Sequence, residues 1–75
     1  MKKNLKGRKA KIVSDNENYD KFRDKVLRIT HVAYDESTHP GYDKSMEGQA
    51  LCDFVVNETN EEVGFSLYEY EFELQ

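Results

Sequence analysis

Short apolar runs alternate with clusters of Gly, Asn and Asp along this chain, and within each run apolar residues recur at every second position. A period of two places successive side chains on opposite faces of a strand, whereas a helix repeats every 3.6 residues. Several such runs in 75 residues predict a small all-β fold. No repeat, low-complexity stretch or linker divides the sequence, so residues 1–75 are predicted to form one domain.

The runs predict four strands, at residues 9–14, 25–34, 50–56 and from 63 onward. Within each strand, apolar residues of one parity form the predicted core face: Ala10 and Ile12; Leu27 and Ile29; Ala50, Cys52, Phe54 and Val56; Val63, Phe65 and Leu67. The polar residues 57–62 between the last two runs predict a hairpin turn.

The C-terminal stretch FSLYEYEFELQ changes parity. Its apolar residues are odd-numbered up to Leu67 and even-numbered afterwards, at Tyr68, Tyr70, Phe72 and Leu74. One continuous strand cannot bury both sets, because a one-residue slip turns every side chain to the other face. The pattern Ser66-x-x-Glu69 is typical of a capping box, so we expect one 3₁₀ turn here and then a short final strand. A β-bulge is the alternative.

Residues 14–25 allow two interpretations. Ser14-x-x-Glu17 is a second capping-box pattern, and Tyr19, Phe22 and Val26 have helical spacing, which would fit a two-turn helix. The run of Asp and Asn residues favours instead a long loop, in which Tyr19 and Phe22 fold back over the end of the core. We prefer the loop.

Three segments, LKGRKAKIVS, YDKFRDKVLRIT and FSLYEYEFEL, together resemble the first strand, the second strand after a long loop, and the closing 3₁₀ turn and strand of small bacterial SH3-like barrels. The resemblance implies an all-β, SH3-like barrel of about five strands with a 3₁₀ turn before the last. Because this fold hosts many functions, the resemblance implies none by itself.

The stretch SLYEY, residues 66–70, looks like the ALYDY motif that opens peptide-binding SH3 domains and lines their polyproline groove. Here it lies close to residue 75, and the chain has no tryptophan to complete such a groove. We therefore interpret Tyr68 and Tyr70 as partly buried barrel residues.

Residues 35–48, DESTHPGYDKSMEG, look like a reactive site because four candidate ligands are spaced four apart: Asp35, His39, Asp43 and Glu47. On a helix these would share one face, but Pro40-Gly41 interrupts any helix at the centre. No zinc or calcium pattern is present. We expect a loop that binds no metal or cofactor.

Catalytic patterns are also missing from the sequence. Cys52 shares the predicted core face of its strand, so we interpret it as a packing residue and not a nucleophile. No nucleophile elbow or phosphate-binding loop is present. We expect no enzyme activity.

The charge is unevenly distributed. Residues 1–11 carry six Lys or Arg and no acid, while the other 64 residues carry five basic and fifteen acidic groups, so that the net −4 is +6 on one segment and −10 on the rest. The basic segment indicates an anionic partner. Alternatively, adjacent strands neutralise each other.

Our first hypothesis is a non-catalytic protein-interaction or accessory module that docks on a larger protein through loop residues His39, Tyr42 and Met46, since aromatic and Met side chains are favoured at interfaces. The alternative is nucleic-acid binding through Lys6, Arg8 and Lys9, which the net negative charge opposes. In a third reading, the acidic surface imitates nucleic acid.

The expected setting is a bacterial cytoplasm. The single cysteine fits a reducing compartment, and no apolar run approaches the ~18–20 residues that would span a bilayer. The sequence leaves a monomer and a homodimer equally open.

Overall fold

One antiparallel sheet of five strands organises the protein. A computed structural model describes residues 4–75. The strands are β1 (Lys9–Ile12), β2 (Leu27–Ala33), β3 (Leu51–Val56), β4 (Glu62–Tyr68) and β5 (Phe72–Leu74), in the spatial order β4-β3-β2-β1-β5. The all-β prediction is confirmed, although the hydrogen-bonded ladders do not close into a ring. Within the described residues, no helix has the length and apolar character needed to cross a membrane.

The core lies against one face of this sheet, which we call the inner face. It contains the residues that the alternation predicted, except that Phe65 is half-buried and packs against the others. Burying an aliphatic or aromatic side chain of this kind stabilises a fold by roughly 1.5–3 kcal/mol. Three further side chains complete the core: Leu5 and Phe22 from outside the predicted strands, and Phe72 from the predicted final strand.

Two irregularities occur at the same level of β3. In β2 the register against β3 shifts between Ile29 and His31. In β4, residues 63–65 lie between the partners of Asp53 and Val55, and Gly64 adopts a φ of 81°. Bulges of this kind bend a strand and increase its twist, and both flank Phe54 of β3.

A 3₁₀ helix, Glu69–Glu71, separates β4 from β5 and resets the register as predicted. It begins later than the capping pattern indicated, because Ser66 belongs to β4 and the Tyr68 backbone N–H donates to Glu71 Oε1 at 3.1 Å. After this turn Phe72 enters the core and meets Phe54 edge-on, with ring centroids 5.2 Å apart.

Between β1 and β2 the chain forms a 3₁₀ helix, Glu17–Phe22, and no two-turn α-helix. The helix is capped by Asn16, whose side chain accepts from Asn18 N at 2.9 Å, and not by Ser14. Phe22 is buried, and Tyr19 packs on Phe65 at 4.6 Å between centroids. The prediction that both aromatic residues fold back over the core is confirmed.

Candidate interaction surface on the outer face of the sheet

The face of β2, β3 and β4 that lies opposite the core, here called the outer face, carries three rows of cross-strand neighbours. From one end to the other the rows are Ala33–Leu51–Tyr68, His31–Asp53–Ser66 and Arg28–Val55–Glu62. The first is mostly apolar, the second is polar, and the third is charged at both ends. Residues 35–48 fold over the first two rows, so the contacts that this face can make with another molecule depend on the loop.

Tyr42 fastens the loop over the first row. Its ring is only 6% exposed and meets Tyr68 edge-on at 5.6 Å. The hydroxyl shares its proton between the carbonyl oxygens of Met46, at 2.8 Å, and Gln49, at 2.6 Å. Burial, followed by the proximity of Tyr68, raises the pKa of this hydroxyl. Tyr42 is therefore a buried residue that supports the loop, and little of its side chain is left for a partner to contact.

Two carboxylates order the loop locally. Asp35 Oδ1 accepts from Ser37 N, Ser37 Oγ and Thr38 N at 2.7–3.1 Å. Asp43 Oδ1 accepts from Ser45 N at 2.9 Å and from Ser45 Oγ at 2.8 Å, where the 3₁₀ helix Lys44–Met46 begins. These hydrogen bonds to the ionised form hold the pKa of both carboxyl groups below the usual value.

His39 fastens the loop to the second row. Its Nε2 lies 3.2 Å from Asp53 Oδ1 and 3.1 Å from Ser66 Oγ, while its Nδ1 accepts from Gly41 N at 2.9 Å. Ser66 Oγ also donates to Asp53 Oδ1. This contact joins the loop to β3 and β4. No local motif indicates this contact, since the two partners follow His39 by 14 and 27 residues.

Histidine, aspartate and serine also form the catalytic triads of serine proteases, but His39, Asp53 and Ser66 are arranged differently. In a triad the carboxylate holds Nδ1–H, and Nε2 is free to take the serine proton. Here Gly41 N–H occupies Nδ1, so the neutral ring carries its proton on Nε2. Both Asp53 and Ser66 contact that same nitrogen. His39 therefore acts as a latch, a contact that holds residues 35–48 on the sheet. It has no free lone pair with which to activate Ser66.

Four of the five tyrosines lie beside the latched loop, and we call this set the tyrosine surface: Tyr34, Tyr42, Tyr68 and Tyr70. Tyr70 is 65% exposed, and its ring is nearly parallel to that of Tyr68, with 6° between the planes and 6.4 Å between centroids. Its interpretation as a partly buried residue was wrong, whereas Tyr68 is half-buried. Tyr70 is exposed because it lies in the 3₁₀ helix Glu69–Glu71, which directs its side chain outward.

A small cavity of about 160 Å³ adjoins the tyrosine surface. It is lined by Tyr34 and Tyr42 and by four charged residues, Asp35, Glu36, Lys44 and Glu47. Met46, the third predicted contact residue, is half-buried and contributes its carbonyl to Tyr42. Of the three loop candidates, none is fully exposed.

The basic segment lies elsewhere, on β1 and the turn before it. Lys6, Arg8 and Lys9 are exposed, and no ion pair joins them to a carboxylate within residues 4–75; Lys2 and Lys3 lie outside the described residues. Lys9 faces Arg28 across the β1–β2 pair. Because like charges opposite each other are unfavourable, the idea that adjacent strands neutralise this segment does not hold at Lys9.

The spaced set Asp35, His39, Asp43 and Glu47 does not converge on one point. Asp35 and Asp43 bind neighbouring Ser and Thr residues, and His39 binds Asp53. In the part of the chain that the structure describes, no three His, Cys, Asp or Glu residues are placed to hold a metal. Cys52 lies in the core as predicted, and burial raises the pKa of its thiol to about 12.

Comparisons with protein-family models, with curated proteins and with solved structures found no match for this chain. The inference about function is therefore drawn from the surface alone.

Proposed function

We propose that this protein is a non-catalytic interaction module, built on an SH3-like barrel, that docks on a larger protein through the tyrosine surface. The strand order β4-β3-β2-β1-β5 and the 3₁₀ turn before β5 support the barrel. The observation that carries the proposal is Tyr70, an aromatic residue 65% exposed whose ring is stacked on Tyr68, which in turn meets Tyr42.

Exposed tyrosines suit an interface because each offers a large apolar ring and a hydroxyl with few rotatable bonds to immobilise. The surface is also held in place before any partner arrives. Asp43 N donates to the Tyr68 hydroxyl at 2.7 Å, and Tyr42 packs against the same ring. A preformed surface loses less conformational entropy on binding, which supports docking with little rearrangement.

Charge indicates the chemistry of the partner. Around the small cavity, the carboxylates of Asp35, Glu36 and Glu47 outnumber the single ammonium of Lys44. Across residues 4–75, nine Lys or Arg stand against fifteen Asp or Glu. Complementary potential steers association and selects partners, so the expected partner presents a basic segment.

The test compares two exposed apolar residues. We expect Tyr70→Ala to weaken binding of a co-purifying partner about tenfold or more, as truncation of an aromatic hot spot does. Val13→Ala is the matched control, because Val13 is 49% exposed but belongs to no part of the tyrosine surface. Tagged full-length wild type and both variants would be compared by quantitative pull-down and then by titration with the purified partner.

Equal binding by Tyr70→Ala and wild type would contradict the proposal. The second candidate, nucleic-acid binding, is favoured by exposed Lys6, Arg8 and Lys9, which form no ion pair with a carboxylate within residues 4–75, and by Arg28 opposite Lys9. It would replace the first if RNA were retained at physiological salt and lost when these three residues were changed to Gln, with affinity falling steeply as salt rises.

A further inference from the structure

A second, larger cavity opens on the outer face between the bulges of β2 and β4. Its volume is about 330 Å³. The walls are formed by Thr30, Asp53, Phe54, Val55, Glu62, Gly64, Phe65 and Ser66. Gly64 helps to keep it open, because a side-chain carbon added there would meet nothing within 4 Å, and its φ of 81° disfavours any residue that carries one.

The polar side chains of this cavity are mainly hydrogen-bond acceptors. Asp53 and Glu62 contribute carboxylates from neighbouring strands, and no Lys or Arg among residues 4–75 lines the walls. The hydroxyl of Thr30 donates to Asp53 O at 3.3 Å, and that of Ser66 donates to Asp53 Oδ1. With those protons committed, both hydroxyl oxygens have acceptor capacity, although the Ser66 oxygen and Asp53 Oδ1 also contact His39 Nε2. A ligand that fits must therefore bring donors and positive charge, together with an apolar portion to contact Val55.

We propose that this cavity receives an arginine side chain from the partner's basic segment. A guanidinium carries five N–H donors in a planar fork that matches carboxylates, and its three-carbon stem is apolar. The assignment of the side chain to a partner rests on the proposed function, but the affinity of the cavity for a guanidinium does not.

The cavity and the tyrosine surface lie close together along β4. Ser66, in the wall, and Tyr68 are two residues apart on the same face of the strand, which separates them by about 7 Å. A partner bound at the tyrosine surface is therefore within reach of the cavity.

The probe for the cavity is N-acetyl-arginine amide, titrated into the ¹⁵N-labelled full chain and followed by NMR. We expect millimolar binding with shifts at the amides of Asp53, Gly64 and Ser66. N-acetyl-citrulline amide, which has nearly the same shape without the charge, should cause none. Because the contacts are partly exposed, Glu62→Gln should weaken the arginine probe about two- to fivefold.

Glu58→Gln is the matched control. Glu58 is an exposed carboxylate on the β3–β4 turn, so its change removes the same charge without touching the cavity. Its effect on binding of the probe should be smaller than that of Glu62→Gln. Equal effects of the two variants, equal binding of citrulline, or shifts confined to other residues would each overturn the arginine site.

The two proposals fail separately. If the arginine probe binds at the cavity but the Tyr70→Ala variant captures the partner as well as wild type does, the arginine site is supported and docking through the tyrosine surface is contradicted. Partner binding that depends on Tyr70 but is unchanged by Glu62→Gln would support docking and overturn the assignment of the cavity to the partner.

Discussion

The two faces of the sheet are built in different ways. The inner face is made of aliphatic and aromatic side chains supplied at every second position by neighbouring strands. The outer face of β2, β3 and β4 becomes covered only when residues 35–48 fold over it, fastened by Tyr42 and His39. Apolar packing is non-directional and appears in the sequence as a simple alternation of apolar and polar residues. The outer face depends instead on a few directed hydrogen bonds. One face therefore determines the fold, and the other is where specificity can develop.

The largest expected effect on stability comes from creating a void in the core at the inner face. Leu67 has 0% exposure and lies in the core. Leu67→Ala should lower the free energy of unfolding by about 3 kcal/mol, since it removes apolar contacts and leaves a void. A domain of this size has roughly 4–11 kcal/mol in total. Urea unfolding measures the loss, and Val13→Ala should stay within about 0.5 kcal/mol. A loss below about 1 kcal/mol for Leu67→Ala would mean that the inner face is loosely packed.

A smaller effect is expected where the loop is fastened to the outer face. Tyr42→Phe keeps the ring but removes the hydroxyl that binds two carbonyl oxygens, so we expect a loss of about 1 kcal/mol. Amide hydrogen exchange should quicken in residues 35–48 and stay slow in β3. Tyr70→Phe is the matched control, because that hydroxyl lies on an exposed side chain. If the two variants behave alike, the Tyr42 hydroxyl does not hold the loop.

The smallest effect is a dependence on acid. The folded pKa values of Asp35 and Asp43 lie below the ordinary value of 3.8. Their stabilising contribution is therefore complete above pH 3.8 and is lost as the pH falls through the lower, folded values. We expect the stability difference between wild type and the variant carrying Asp35→Asn and Asp43→Asn to shrink from pH 6 to pH 2.5. Urea unfolding at several pH values measures it. A difference that stays constant over this range would show that the two carboxylates do not stabilise the loop.

The inner face was predictable because burial there follows chain parity. Alternation identified the core residues of β1, β3 and β4, and those of β2 as far as Ile29, beyond which the bulge brings Val32 to the inner face against the predicted parity. The change of parity after Leu67 predicted the 3₁₀ turn. The cap positions were misplaced by two residues, because Ser66 and Ser14 each met the pattern while other residues formed the hydrogen bonds. Local patterns locate a turn better than they choose its cap.

The outer face was not predictable in the same way. Tyr42, expected at an interface, is buried, and Tyr70, expected to be partly buried, is exposed. Exposure on this face depends on which residues the loop and the 3₁₀ turn bring over the sheet. The contact of His39 with Asp53 and Ser66 joins distant parts of the chain that carry no common motif. The Asp35 and Asp43 turns alone had a local signal, since in each case a serine follows two residues later.

Strand β4 lies at one edge of the sheet. An edge of seven regular residues would offer a continuous template on which the strand of another chain could pair, the usual start of aggregation. The bulge around Gly64 interrupts that template, and Tyr19 and Phe22 pack on Phe65 beside it. Glu62 adds a charge at the start of the same strand. The irregularity that borders the larger cavity thus also works against edge-to-edge pairing between separate copies of this chain.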